Sequence, residues 1–141
     1  MFQRYCAENA ISGRETLLSH MTHGSNDLPK AKAYYEALLG TIGYTKIFDH
    51  PSGGAVYGID GKPQIGVLGP YDGKPATVGN GTMAALYLPN SAAVDAFYAK
   101  AIALGSASEG APGPRGETGF YGAYFRDLDG NKLNAYTMVR A

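Results

Sequence analysis

The strongest constraint on this chain is that its second half repeats its first. Sliding the sequence by 63 residues carries Asp27 onto Asn90 and Ala33-Tyr34-Tyr35 onto Ala96-Phe97-Tyr98, so a helix cap and an aromatic helix face recur together. The same shift places His20 on Met83. Agreement in the order of elements is harder to obtain by accident than agreement at single positions. Neither half is large enough to bury both a sheet face and a helix alone, so the repeat predicts two modules sharing one core.

The local pattern gives each module its parts. Leu17–Gly24 reads as a strand, with His20 and Thr22 on one face and Met21 and His23 on the other, so the two histidines do not share a face. Asn26 or Asp27 caps a helix whose first turn accommodates Pro29 and whose apolar stripe is Ala31, Tyr34, Tyr35, Leu38 and Leu39. Short strands at Tyr44–Phe48, Ala55–Ile59 and Gln64–Leu68 follow, separated by Pro51-Ser52-Gly53-Gly54 and Asp60-Gly61 turns. The second module opens with a strand at Thr82–Leu88 and a helix at Ala92–Leu104, capped by Asn90 or Ser91, with Val94, Phe97, Tyr98, Ala101 and Ile102 available for burial. A glycine- and proline-rich loop is predicted over Gly110–Gly119, before a hairpin of Phe120–Arg126 and Lys132–Met138. The resulting organisation is an amino-terminal arm or tail (1–15), a first βαβββ module (16–69), a linker (70–79) and a second βαβββ module (80–138).

Composition removes several classes of partner. Lysines and arginines number 12 against 12 acidic residues, without a basic run to neutralise a phosphate backbone, which argues against nucleic acid. No stretch approaches the roughly 20 apolar residues that span a bilayer, so no membrane partner is expected. Cys6 is the single cysteine, which excludes an internal disulfide or a cysteine cluster within one chain and fits a cytoplasmic location.

His20-Met21-Thr22, the run Asn26-Asp27-Leu28-Pro29-Lys30-Ala31-Lys32-Ala33-Tyr34-Tyr35, and Ile42-Gly43-Tyr44 carry a resemblance in the first half. Val94-Asp95-Ala96-Phe97-Tyr98, Glu109-Gly110-Ala111-Pro112-Gly113 and Tyr124-Phe125-Arg126-Asp127-Leu128-Asp129-Gly130-Asn131-Lys132-Leu133 carry it in the second. Over about residues 16–138 the sequence resembles the glyoxalase, bleomycin-resistance and extradiol-dioxygenase superfamily, also called vicinal oxygen chelate proteins. The resemblance implies an α+β fold in which two βαβββ modules form a curved mixed sheet with a central cleft, and it implies a homodimer. It also implies a divalent metal held by residues on the first and last strands of the modules. His20 matches the ligand position of the first module; its counterpart is Met83, and the expected closing glutamate is Asn134. A thioether and a neutral amide are weak ligands for such an ion, so His20 and Asn134 remain only weak metal candidates and no cofactor is predicted.

Alternation places Tyr136 on the Asn134 face, while the register of Phe120–Arg126 against that strand is left open by the sequence. The expected ligand-binding set is His20, Met83, Asn134 and Tyr136, with Tyr124 and Arg126 as neighbours; Arg126 has the competing reading of a solvent-facing or Asp127-paired residue. Tyrosine rings, an adaptable methionine and an amide suit a flat or partly apolar organic molecule. The leading functional reading is therefore a glyoxalase-like small-molecule binding protein, of sequestration or resistance type, without the usual divalent metal site. Two alternatives stand beside it. One is a lyase, isomerase or dioxygenase relative using His20 as the catalytic candidate or within an atypical metal centre; the other is a non-catalytic structural or interaction protein.

Overall fold

Each helix begins where a short polar side chain can satisfy an exposed backbone donor. Asp27 accepts a hydrogen bond from the Lys30 amide at 3.2 Å, and Asn90 accepts one from the Ala93 amide at 2.9 Å. In the computed structural model, which describes residues 18–140, these caps open α1 (Leu28–Gly40) and α2 (Ser91–Ala103). The arm expected over residues 1–15, with Cys6, lies outside the described residues.

Around α1 lie β1 (Met21–Gly24), β2 (Thr45–Asp49), β3 (Ala55–Ile59) and β4 (Lys62–Leu68); around α2 lie β5 (Ala84–Tyr87), β6 (Ala107–Pro114), β7 (Phe120–Arg126) and β8 (Lys132–Met138). The two expected βαβββ modules are thus present. Each forms its own four-stranded mixed sheet, in the orders β1-β4-β3-β2 and β5-β8-β7-β6. The first strand of each runs parallel to the last, and the remaining pairs are antiparallel. The 63-residue shift carries β1 onto β5 and α1 onto α2 from end to end; at the closing strands the shift has grown to 70, because the hairpins of the second module are longer.

Asp60 and Gly61 both adopt positive φ, 52° and 71°, as a tight hairpin turn between twisted strands requires. Two sequence expectations are corrected. Gly110–Gly119 is not a loop throughout, since β6 pairs with β7 from Ala107 to Pro114. That strand is an edge, where a proline needs no ladder partner on its open side, and register shifts after Ser108 and Gly110 absorb the irregularity. Ile102, expected on the buried side of α2, is 37% exposed, and the helix buries Val94, Phe97 and Ala101 instead.

Both helices and both sheets feed one hydrophobic cluster. Tyr35 stacks on Tyr57 with ring centres 6.4 Å apart, and Phe97 meets Phe125 at 6.0 Å. Tyr34 reaches across the modules to hydrogen-bond the Ser106 hydroxyl at 2.6 Å. Leu38, fully buried in this cluster, and the exposed Ile102 separate core from surface. We expect Leu38→Ala to cost about 2–5 kcal/mol of unfolding free energy in a denaturant titration, while Ile102→Ala stays within about 0.5 kcal/mol of the parent.

Candidate functional site

Phe125, Leu133 and Ala135 point toward α2, so the alternating residues of β7 and β8 form the outer face of the second sheet. Strand register resolves what the sequence left open. Tyr124 lies opposite Asn134, Gly122 opposite Tyr136, and Arg126 opposite Lys132, which puts the Phe120, Gly122, Tyr124 and Arg126 set on the Asn134 face. Tyr136 stacks on Phe120 with rings 5.0 Å apart and nearly parallel, and meets Tyr87 of β5 edge-on at 5.3 Å. Beneath this aromatic layer Asn134 is only 2% exposed and donates its amide to the Ala123 carbonyl at 3.0 Å. A side chain at Gly122 would collide with the Phe120 ring, so glycine is what lets the ring lie over the strand.

One end of this face is cationic. The Lys132 ammonium sits 5.3 Å from the centre of the Tyr124 ring and the Arg115 guanidinium 5.7 Å from it. Arg126 donates to Glu109 at 2.9 Å and to the Gly130 carbonyl at 3.1 Å; the Asp127 pairing considered from sequence is not formed. Pairing with Arg126 holds the Glu109 carboxyl below its ordinary pKa. Met83 lines a cleft of about 390 Å³ together with Arg126, Lys132 and the 78–82 segment. The structure therefore gathers Asn134, Tyr136, Tyr124, Arg126 and Met83 on or beside one sheet face. Phe120, Tyr87, Lys132 and Arg115 belong to the same surface and were missed; alternation along Phe120–Arg126 and Lys132–Met138 was the signal for Phe120 and Lys132.

His20 stands apart. It is exposed, shares a hydrogen bond with Ser19 at 3.0 Å, and lines a separate crevice of about 290 Å³ whose walls include Gln64 and Ala85. The structural repeat pairs His20 with Met83 and, at the closing strands, Gln64 with Asn134. The positions at which the resemblance implies metal ligands thus offer one imidazole, one thioether and two neutral amides. The Asn134 amide nitrogen is already engaged with the Ala123 carbonyl. Without an anionic donor, this set does not fit a divalent ion, and among the described residues no group of three or more His, Cys, Asp or Glu side chains could hold one.

A second polar constellation is buried between the modules. Asp127, in the β7–β8 turn, accepts from the Tyr35 hydroxyl at 2.6 Å and the Asn131 side-chain amide at 2.9 Å on one oxygen. Its other oxygen accepts from the backbone amides of Asp129 and Asn131. Asn131 also donates to the Gly24 carbonyl at the end of β1. Tyr35 has one proton and gives it to the carboxylate, so its oxygen accepts from His23 Nδ1 at 2.9 Å. His23 Nδ1 is 4.0 Å from Asp127, too far for a direct bond, and the tyrosine bridges them. Burial lowers the His23 pKa, opposed in part by the Asp127 charge, and burial raises that of Tyr35, reinforced by the same charge. Sequence reasoning placed Tyr35 in the apolar helix stripe and His23 on the strand face opposite His20; the carboxylate that links them, Asp127, lies in the other module, beyond the reach of local pattern.

Comparison with known proteins agrees with this architecture. The sequence pattern of the Glyoxalase/Bleomycin resistance protein/Dioxygenase superfamily matches residues 17–135. A glyoxalase/bleomycin resistance protein from Albidiferax ferrireducens is 37% identical, with a TM-score of 0.77 over 86% of this chain and 98% of its own. The lactoylglutathione lyase of Agrobacterium tumefaciens is similar in fold at 20% identity and a TM-score of 0.65, covering 87% of this chain and 94% of that one. So is the fosfomycin resistance protein FosX of Listeria monocytogenes, solved as a mutant with Mn(II) and a dihydroxypropylphosphonic acid, at 21% identity and a TM-score of 0.69 over 89% and 94% of the two chains. No curated protein matches. No helix among the described residues is long and apolar enough to cross a membrane.

The buried histidine predicts a pH dependence. Its folded pKa lies below the ordinary 6.5, so the unfolded chain binds the proton more readily. The stability associated with neutral His23 is complete above about 6.5 and is lost as pH falls toward the lowered folded value. Thermal melts across that interval are expected to show a falling midpoint for the parent and a flatter profile for His23→Asn.

Proposed function

The chain belongs to the glyoxalase, bleomycin-resistance and dioxygenase superfamily, and from that premise we propose that it binds a small, flat, partly apolar organic molecule without using the superfamily's usual divalent metal site. The observation that carries this reading is the outer face of the second sheet. There the position expected to hold a carboxylate ligand is a buried Asn134, roofed by the Phe120–Tyr136 stack. Stacked rings offer area to a planar ligand at little cost in side-chain ordering. Lys132 and Arg115 beside Tyr124 give an acidic substituent of such a ligand a place to pair, since the carboxylate of Glu109 is already taken by Arg126. Met83 adapts the near wall to irregular shapes. His20 lies at the adjoining crevice rather than on the aromatic layer, and its role in this reading is to border the ligand site.

We further propose that the working form is a homodimer in which a second copy covers part of this face. Tyr87 and Met138 are large apolar side chains left 61% and 40% exposed on β5 and β8, and burying them would enclose the ligand.

Binding of naphthalene carboxylate, followed by fluorescence, tests the site. Tyr136→Ala is expected to weaken it by about 0.5–1.5 kcal/mol, the usual worth of an aromatic contact beyond its area, and Lys132→Gln to reduce the preference for the carboxylate over naphthalene. Metal analysis of protein purified without chelator is expected to find less than stoichiometric divalent ion. A full equivalent of metal that disappears in a His20→Ala variant would overturn the metal-free reading. Light scattering checks the dimer, and a monomer at all concentrations would remove that part.

A further inference from the structure

The buried network leaves one atom unaccounted for. His23 has a side chain only 3% exposed, and its Nε2 is buried without a hydrogen-bond partner. An unmet polar atom of this kind costs stability unless something supplies its bond. The hydrogen-bond chain fixes what that atom is. Asp127 collects the Tyr35 proton, Tyr35 oxygen collects the His23 Nδ1 proton, and the neutral ring is left with a lone pair on Nε2, facing away from Tyr35.

His23 also lines a cleft of about 810 Å³ at the carboxyl ends of β1 and β4 and against the turn at residues 50–53. The lining contains no Asp, Glu, Lys or Arg, and Leu68, Pro51 and Pro70 make it mainly apolar. A second histidine there has the opposite tautomer. His50 Nδ1 accepts from the Ser52 backbone amide at 3.1 Å, so its neutral ring carries the proton on Nε2. The cleft therefore presents a buried imidazole acceptor at His23, an imidazole donor at His50, the hydroxyls of Thr22, Ser52 and Tyr71, and no fixed charge.

We propose that this cleft is a second small-molecule site, separate from the outer face of the second sheet, which takes a neutral ligand that donates a hydrogen bond to His23 Nε2 and lays an apolar body against Leu68 and Pro51. A hydroxyl on an aromatic or aliphatic body has this chemistry, since it donates to His23 while its oxygen can accept from His50. An anion lacks a counter-charge here, and a purely apolar molecule leaves Nε2 unmet. His23 acts as the recognition acceptor, and Tyr35 and Asp127 act through it as positioning residues.

Phenol and anisole test the proposal on the unaltered protein, since they share a ring and differ in the hydroxyl donor. Titrations followed by long-range proton–nitrogen spectra of the histidine rings and by backbone amides are expected to show phenol shifting His23 Nε2 and the amides of Gly24, Ser52 and Gly69. Phenol is expected to bind about three- to tenfold more tightly than anisole, the range of one net hydrogen bond. His23→Phe should bind the two alike. Equal binding of phenol and anisole by the parent protein overturns the proposal, as does a response confined to Tyr124, Tyr136 and their neighbours. An absence of any His23 response up to the solubility limit of phenol overturns it as well. Because the readout is local to the cleft, failure there leaves the naphthalene carboxylate result at the outer face intact.

Discussion

The interaction on which the arrangement of this molecule depends is the solvation of a buried carboxylate by its own chain. Asp127 sits out of reach of solvent and is satisfied by Tyr35 from α1 and by Asn131 and Asp129 from its own turn. Asn131 is bonded in turn to the end of β1. A charge in this position would be expensive if any of these donors were missing, and it is tolerable because they converge from both modules. The apolar cluster brings the helices and sheets together without specifying direction, whereas the carboxylate is satisfied only when α1, β1 and the β7–β8 turn meet in one register. The hydrophobic term supplies most of the cohesion, and the polar knot selects one docking of the two halves.

That division explains how the repeat can be kept in architecture and lost in chemistry. Helix caps, apolar helix faces and strand order recur because they are what fold each half, and a 63-residue offset maps β1 and α1 onto their counterparts without remainder. The outer faces of the strands take no part in the core, so their residues are free to diverge. His20 against Met83 and Gln64 against Asn134 are the positions where a convergent ion site would need imidazole and carboxylate, and three of the four lack both. Asn134 has gone further and become part of the sheet's own support by bonding the Ala123 carbonyl.

Legibility in the sequence follows the range of the interactions involved. Caps at Asp27 and Asn90, the α1 stripe and the Asp60-Gly61 turn are settled by neighbours within a few residues, and they read directly. Alternation placed Asn134 and Tyr136 together, but the partnership of Tyr124 with Asn134 needed the register of a strand pair. β6 was obscured because Gly110, Pro112 and Gly113 carry the composition of a loop, and only its edge position makes that composition compatible with pairing. The Tyr35–Asp127 bond spans 92 positions, and a tyrosine in an apolar helix stripe carries no local mark that its hydroxyl will be used.

The alternation of β1 turns these considerations into a single argument about function. His20 and Thr22 point outward, where composition is unconstrained by folding, and His23 points inward, where every polar atom must be placed. An outward histidine can be gained or lost without cost to the fold, which makes it a weak marker of chemistry when its expected partners are absent. An inward histidine is retained only with a held proton on one nitrogen, and here the hold originates in the carboxylate of the other module. The tautomer offered to the cleft is therefore a property of the docked pair of modules, and neither half could produce it alone. Any change that loosens the β7–β8 turn acts on the cleft through Tyr35, so the chemistry of His23 and the docking of the two halves form one linked equilibrium.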